Sequence, residues 1–215
     1  MRAEQLSPYT LRWPEGVFPL GEDAMHLGGF ATVKDGWKVC DLGTGSGALL
    51  LLLARRAANL SLTGVEREEV SARTTERNLR ENGLAGEIFL ADFRTINLPA
   101  GKFDLVVSNP PYFPVGSGKS GGPFRSEEFC TLRQLCTAAA RLTKNGGRFA
   151  LCHRPERLAE LMACLCGAGL EPKRLQFCAH SPQHPPYLVL VESMRQGKPG
   201  LTVLPTVWKK NDGKG

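Results

Sequence analysis

Two short segments hold the residues whose types and spacing can do chemistry: Asp41–Gly47, reading Asp-Leu-Gly-Thr-Gly-Ser-Gly, and Asn109–Tyr112, reading Asn-Pro-Pro-Tyr. In the first, the alternating Gly43, Gly45 and Gly47, with Thr44 between them, let the backbone turn sharply and let a ligand come close where a Cβ would clash. A dinucleotide fingerprint would run GxGxxG, but the series that starts at Gly45 is closed by Leu50, which argues against a pyrophosphate cofactor. Three acids accompany the loop. Asp41 can accept a hydrogen bond from an ammonium group or water, Glu66 from the hydroxyls of a ribose, and Asp92 from the exocyclic amine of an adenine. Such a set could hold a ligand with an ammonium group, a ribose and an adenine.

The second segment addresses a planar nitrogen. The lone pair of such a nitrogen is delocalised, and two acceptors that hold its two N–H hydrogens can turn it toward an electrophile. The Asn109 side-chain oxygen and the Pro110 carbonyl are the pair expected to do so, stiffened by Pro110 and Pro111, while Tyr112 offers a plane for an extruded base. No general base is nominated. The pattern does not distinguish an adenine amine from a guanine 2-amine or a glutamine side-chain amide.

The elements that must place these residues alternate. Lys38–Leu42 reads as a strand running into the glycines, Ala48–Ala58 as a buried helix, Ser61–Glu66 as a second strand, and Glu68–Asn82 as a polar helix stopped by Gly83. Strands follow at Glu87–Ala91 and Phe103–Ser108, the latter ending on Asn109. After the glycine-rich Gly116–Gly122 come a helix over Glu127–Leu142, closed by Asn145-Gly146-Gly147, and a strand over Arg148–Cys152. Next are an amphipathic helix over Pro155–Gly167, with Leu158, Leu161, Met162 and Leu165 turned to the core, and a hairpin of Lys173–Ala179 with Tyr187–Ser193. This predicts an α/β fold: a Rossmann-like, seven-stranded, mostly parallel sheet with one antiparallel strand and helices on both faces. The three acids and Asn109 all sit at strand carboxyl ends, where such sheets bind ligands.

The 215 residues suit one principal domain. With 42% hydrophobic and 22% charged residues, the chain is expected to pack an ordinary core. No apolar run reaches membrane-span length and the first residues lack a secretory core, so a cytoplasmic location and no membrane contact are expected. Seven cysteines without a CxxC pair are read as reduced thiols, and Cys164-x-Cys166 lacks the partners of a zinc site, so no metal is expected. The formal charge of +6 favours a polyanionic partner. Five basic residues stand against one acid between Met194 and Gly215, which is a solvated terminus or an RNA contact.

The loop and acids from Lys38 to Asp92 resemble the first motif of the class I S-adenosylmethionine-dependent methyltransferases. The whole chain resembles the bacterial tRNA(Val) adenine-N6 methyltransferases, through Phe18–Phe30, DLGTGSG, NPPYF, Cys130–Leu135, Gly146–Leu158, Pro185–Glu192 and Lys198–Pro205. The resemblance implies methylation of an adenine N6 amine next to the anticodon, with S-adenosylmethionine as cofactor and a tRNA anticodon stem-loop as partner, by a monomer or weak homodimer. It also implies an N-terminal cap over the cofactor (1–37) in which Gly21 and Asp23 contact it, a methyltransferase domain (38–195) and a basic tail (196–215). Glu22 departs from the threonine expected there, and the loop Phe113–Arg125 is a candidate for ordering on RNA. His153–Arg157 reads as a helix entry, structural or RNA-facing. Competing readings are glutamine N5 methylation of a protein, which calls for an N-terminal recognition domain, guanine-N2 methylation of ribosomal RNA, and a non-catalytic module that binds cofactor and RNA.

Overall fold

The computed structural model describes residues 1–17, 19–110 and 130–209. Phe18, Pro111, Tyr112, the glycine-rich segment 116–122, the loop 113–125, the first residues of the helix expected from Glu127, and Lys210, Asp212 and Lys214 lie outside the described residues.

The central strand β3 (Lys38–Leu42) is buried from Val39 onward, as a strand covered on both faces must be. It runs into the glycine loop and α2 (Ala48–Ala54), whose residues 48–53 are all buried. A helix that is apolar all round needs cover on its outer side. The cover is α1 (Glu22–Phe30), which comes so close that a Cβ on Gly28 would stand 2.7 Å from Leu52 Cβ. At its far end α1 is clamped by the buried Glu192, whose carboxylate accepts from Thr32 N at 2.6 Å and Thr32 Oγ1 at 2.9 Å and pairs with Arg174 at 3.3 Å.

β4 (Ser61–Glu66), α3 (Glu69–Glu81), β5 (Gly86–Leu90) and β6 (Phe103–Ser108) follow the alternation the sequence predicts. α4 (Leu132–Leu142) starts on a capping box between Thr131 and Gln134. It ends earlier than the Asn145-Gly146-Gly147 stop suggests. Thr143 is already extended and pairs with Phe103, and its hydroxyl donates to Ala139 O at 2.7 Å, closing the last turn. β7 therefore spans Thr143–His153. A 3-10 turn at Pro155–Arg157 leads into α5 (Leu158–Gly167), which buries Leu161 and Leu165.

The hairpin of β8 (Leu170–Ala179) and β9 (Leu188–Arg195) closes the sheet, with β9 between β7 and β8 and antiparallel to both. The seven expected strands are all present, with one antiparallel. Two short additions, β10 (Thr202–Val203) and β11 (Val207–Trp208), run along β8, so part of the segment read as a tail belongs to the sheet. Among the described residues the order is β10-β8-β9-β7-β6-β3-β4-β5, with β11 also on β8. One apolar core lies under α1 and α2, the other under α4 and α5.

Ahead of α1, β1 (Arg2–Leu6) and β2 (Tyr9–Trp13) form a separate hairpin that the sequence did not announce. Its open edge is taken up by side chains of α3: Asn78 exchanges hydrogen bonds with the Arg12 backbone, and Asn82 with that of Thr10. Among the described residues no helix is long and apolar enough to cross a membrane.

Candidate functional site

The parallel register decides which predicted residues meet. Asp41 pairs with Val107 across β3 and β6 and with Gly64 across β3 and β4, so the ends of three strands lie side by side. Ser108 Oγ donates to Leu42 O at 2.8 Å, which fixes the last residue of β6 against the last residue of β3. Asn109 therefore leaves β6 one strand away from Gly43, about 5 Å across the sheet.

The loop between them is held from several sides. Val65 O accepts from Gly43 N at 2.9 Å and Thr44 N at 3.2 Å, tying the first turn to β4. Gly43, Gly45 and Gly47 have φ of 76°, 59° and 81°, a region that disfavours residues with a Cβ. At Gly47 an added Cβ would also lie 2.9 Å from Thr75, whereas at Gly43 and Gly45 it would meet no heavy atom of the described residues within 4 Å. Among the described residues those two glycines face open space, as a cradle for a ligand requires.

Asp41 is buried, and Thr44 Oγ1 donates to its Oδ2 at 2.9 Å. Its Oδ1 is buried without a hydrogen-bond partner. Burial pushes the Asp41 carboxyl up to about 7; the Thr44 bond works against this and the Glu66 charge adds to it. An unsatisfied buried oxygen costs about 1–3 kcal/mol, which an incoming ammonium or N–H would recover. This donor set fits the amino-acid end of S-adenosylmethionine.

Glu66 is also buried. Its Oε2 accepts from Gly45 N at 2.9 Å, and Oε1 accepts from Arg67 N at 2.8 Å and Glu68 N at 3.0 Å. The carboxylate thus ties β4 to the glycine loop and keeps about one lone-pair site for a ribose hydroxyl. At the end of β5 both oxygens of Asp92 are engaged by the Arg94 guanidinium, and these bonds hold its carboxyl below the usual range. An adenine amine would share Asp92 with Arg94.

Gly21 caps the N-terminus of α1, with Asp23 in its first turn. Among the described residues no hydrogen bond links Asp23 to the glycine loop; its charge is felt instead by Cys178 and Tyr187 at the ends of β8 and β9. Glu22 pairs with Lys209 at 2.6 Å, and this bond holds its carboxyl below the usual range. His153 is fully buried, which excludes a surface contact with RNA, and burial lowers it to about 4.

Three contributors were not foreseen. Thr75 Oγ1 donates to Gly45 O and Asn78 Nδ2 to Ser46 O, both at 2.8 Å, so α3 grips two consecutive loop carbonyls. Cys152 Sγ donates to Asn109 Oδ1 at 3.0 Å, which orients the amide that the second motif supplies. A signal was present for the first two: Ser71, Thr75, Asn78 and Asn82 recur at helical spacing on the inner face of α3, where apolar residues would be usual. No spacing rule links Cys152 to Asn109.

The profile of the methyltransferase small domain matches residues 28–167. A tRNA1(Val) (adenine(37)-N6)-methyltransferase of a Flavobacteriaceae bacterium (strain 3519-10) is 28% identical over 153 residues, covering 70% of this chain and 66% of that relative. The chain thus spans just under two thirds of its length. A protein of the same name from Trichodesmium erythraeum is 25% identical over 205 residues, covering 89% and 83%. A crystal structure from Agrobacterium tumefaciens, described as a predicted O-methyltransferase, superposes with a TM-score of 0.73 at 22% identity, covering 89% of each chain.

Proposed function

The chain belongs to the methyltransferase small-domain family, and from that premise we propose that it transfers a methyl group from S-adenosylmethionine to the N6 amine of an adenine in tRNA, next to the anticodon of tRNA(Val). The observation that carries the reading is the placement of Asn109 one strand from the glycine loop, secured by the Ser108–Leu42 bond. The names of the two relatives support adenine and tRNA as the acceptor. Such a substrate puts the work of the protein in the cytoplasm.

The bound cofactor supplies an electrophilic methyl on a sulfonium. The protein supplies position. Asp41 would hold the amino-acid end through its unpartnered oxygen, the faces of Gly43 and Gly45, open among the described residues, would leave room for the ligand backbone, and Glu66 would accept a ribose hydroxyl. Asp92 takes the adenine edge of the cofactor. Gly21 and Asp23, carried on the segment before β3, close over the site from the β9 side.

On the acceptor side, the Asn109 amide oxygen and the Pro110 carbonyl take the two N6–H hydrogens, so that the nitrogen lone pair points at the methyl. Cys152 donates to the same Asn109 oxygen and so orients it toward the base. With the cofactor bound, its methyl would pass from sulfur to N6, and one N6 proton would leave to solvent. Acceptors fixed before the base arrives cost no reorganisation at the moment of transfer.

The test is incubation with methyl-labelled S-adenosylmethionine and tRNA, followed by nucleoside mass spectrometry. N6-methyladenosine next to the anticodon is the expected product, lost in Asn109→Ala. Label confined to protein or to guanosine overturns the reading in favour of glutamine or guanine-N2 methylation. Unchanged modification with Asn109→Ala would point to a non-catalytic module.

A further inference from the structure

Beyond the cofactor loop and Asn109, the same edge of the sheet carries a preformed aromatic stack, and we infer that His180 and Tyr187 form a ledge on which an unpaired RNA base next to the methylated one is stacked. The inference rests on the RNA reading above. His180 directly follows β8 and Tyr187 directly precedes β9. Since β8 runs parallel to β7 and β9 returns between them, both residues stand at the carboxyl edge where Asn109 leaves β6. Along the order β6-β7-β9-β8, Tyr187 is two strands and His180 three strands from Asn109, about 10 and 15 Å. Adjacent nucleotides of an unstacked loop cover that span.

The two rings are stacked, with centroids 4.6 Å apart and planes 22° from parallel. The inner ring is fixed. Tyr187 Oη bonds His26 Nε2 at 3.1 Å, its carbonyl accepts from Arg154 Nη1 at 2.9 Å, and its N–H donates to Cys178 O at 2.9 Å. The outer ring is not covered: Tyr187 is partly buried while His180 is exposed. A pair that served only to pack the hairpin would bury its outer member. Here one ring anchors the other and presents it to solvent already oriented, so a base that stacks on it orders nothing further.

The surrounding charge says which part of a nucleotide is read. Arg154 lies at the rim, but Glu22 and Asp23 on α1 are also near, with Glu22 matched by Lys209. With cations and carboxylates both present, the patch is poorly suited to phosphate and well suited to the flat face of a base.

The test compares His180→Ala, His180→Lys and His180→Phe in the full chain, using fluorescence anisotropy with a labelled anticodon stem-loop and calorimetry with S-adenosylmethionine. Loss of one stacked base weakens binding by about 5- to 150-fold. His180→Ala and His180→Lys should both show that loss, His180→Phe should bind like the parent, and cofactor affinity should stay the same in all three. Equal RNA binding by His180→Ala and the parent overturns the ledge, as does a His180→Lys variant that binds normally, which would mean charge and not stacking. If the unaltered protein methylates RNA while His180→Ala binds as well as the parent, only the ledge fails. If the unaltered protein neither binds nor methylates RNA, the parent reading fails and the ledge with it.

Discussion

Asn78 and Ser46 are 32 residues apart, yet the Asn78 carboxamide donates to the Ser46 carbonyl while also exchanging hydrogen bonds with Arg12, so one buried side chain joins the N-terminal hairpin to the cofactor loop. Asn82, one turn on, bonds the same hairpin at Thr10 but does not touch the loop. Asn78→Ala strands three backbone groups, the buried Ser46 carbonyl and the part-buried N–H and carbonyl of Arg12, and should cost about 2–4 kcal/mol in denaturant unfolding. It should also weaken S-adenosylmethionine binding about tenfold, because the loop loses a carbonyl anchor. Asn82→Ala should lose stability with cofactor affinity retained. Calorimetry showing equal affinity loss in both variants would refute a specific loop anchor.

The buried Asp41 carboxyl makes cofactor affinity depend on pH. With its ionisation pushed up to about 7, the group is largely neutral in mild acid, and only its carboxylate form attracts an ammonium. Between about pH 7.5 and about pH 5.5 the Kd for S-adenosylmethionine should rise by about 10- to 30-fold. Asp41→Asn should bind weakly at both values and flatten the profile. A flat profile in the unaltered protein would show that Asp41 does not meet the ammonium.

Stability in acid brings two buried groups into opposition. His153, lowered to about 4, resists charging in the fold; the stability this confers is complete above its unfolded pKa and is lost as pH falls from about 6.5 to about 4. Asp41, raised to about 7, does the reverse: its contribution is complete below about pH 3.9 and is lost as pH rises toward 7. Over their shared window the two slopes oppose each other. His153→Gln should therefore make the protein gain stability on acidification relative to the parent, by up to about 3 kcal/mol, and Asp41→Asn should make it lose stability. Urea melts across this range decide, and parallel curves for all three proteins would contradict both assignments.

Much of this fold could be read before any coordinates. Short apolar runs bounded by glycines and turn residues located the seven principal strands, because central parallel strands are buried on both faces and read as apolar almost throughout. The cofactor loop was legible for the same local reason, since its glycines need positive φ wherever they occur. What escaped depends on distance in sequence. β1 is mostly exposed and polar, and although Tyr9, Leu11 and Trp13 alternate with polar residues in β2, the five-residue run has no apolar partner strand beside it in sequence; the hairpin is ordered by Asn78 and Asn82 at the α3 end. β10 and β11 have two residues each and exist only because β8 offers an edge. The engagement of Asp92 by Arg94 was two residues away and still unread, because the sequence places acids at strand ends without saying which cation will reach them first.

Cys152 tests how finely Asn109 must be aimed. The thiol is fully buried and donates to the amide oxygen that is to accept an N6–H. Cys152→Ala removes one of the bonds that orient that oxygen and should lower kcat by up to about tenfold with little change in KM for the cofactor. Cys152→Ser keeps a donor at the same place and should restore most of the rate. If serine and alanine are equally slow, packing and not the hydrogen bond is what Cys152 provides.

Glu22 is the residue at which the chain departs from the resemblance, and its pairing shows how the departure is accommodated. A free carboxylate at the start of α1 would repel incoming phosphates, but Lys209, held beside β8 by the bond from its N–H to Ala179 O, meets Glu22 at 2.6 Å and cancels its charge. Both side chains are about half exposed, at 56% and 49%, so the pair is worth well under about 1 kcal/mol to folding. Glu22→Thr should accordingly leave the melting temperature nearly unchanged. Lys209→Ala, by contrast, uncovers the carboxylate and should raise KM for tRNA about two- to fivefold at low salt, an effect that added salt erases. The double variant should behave like Glu22→Thr. A rise in KM of the same size in the double variant would mean that Lys209 contacts RNA itself and does not act by neutralising Glu22.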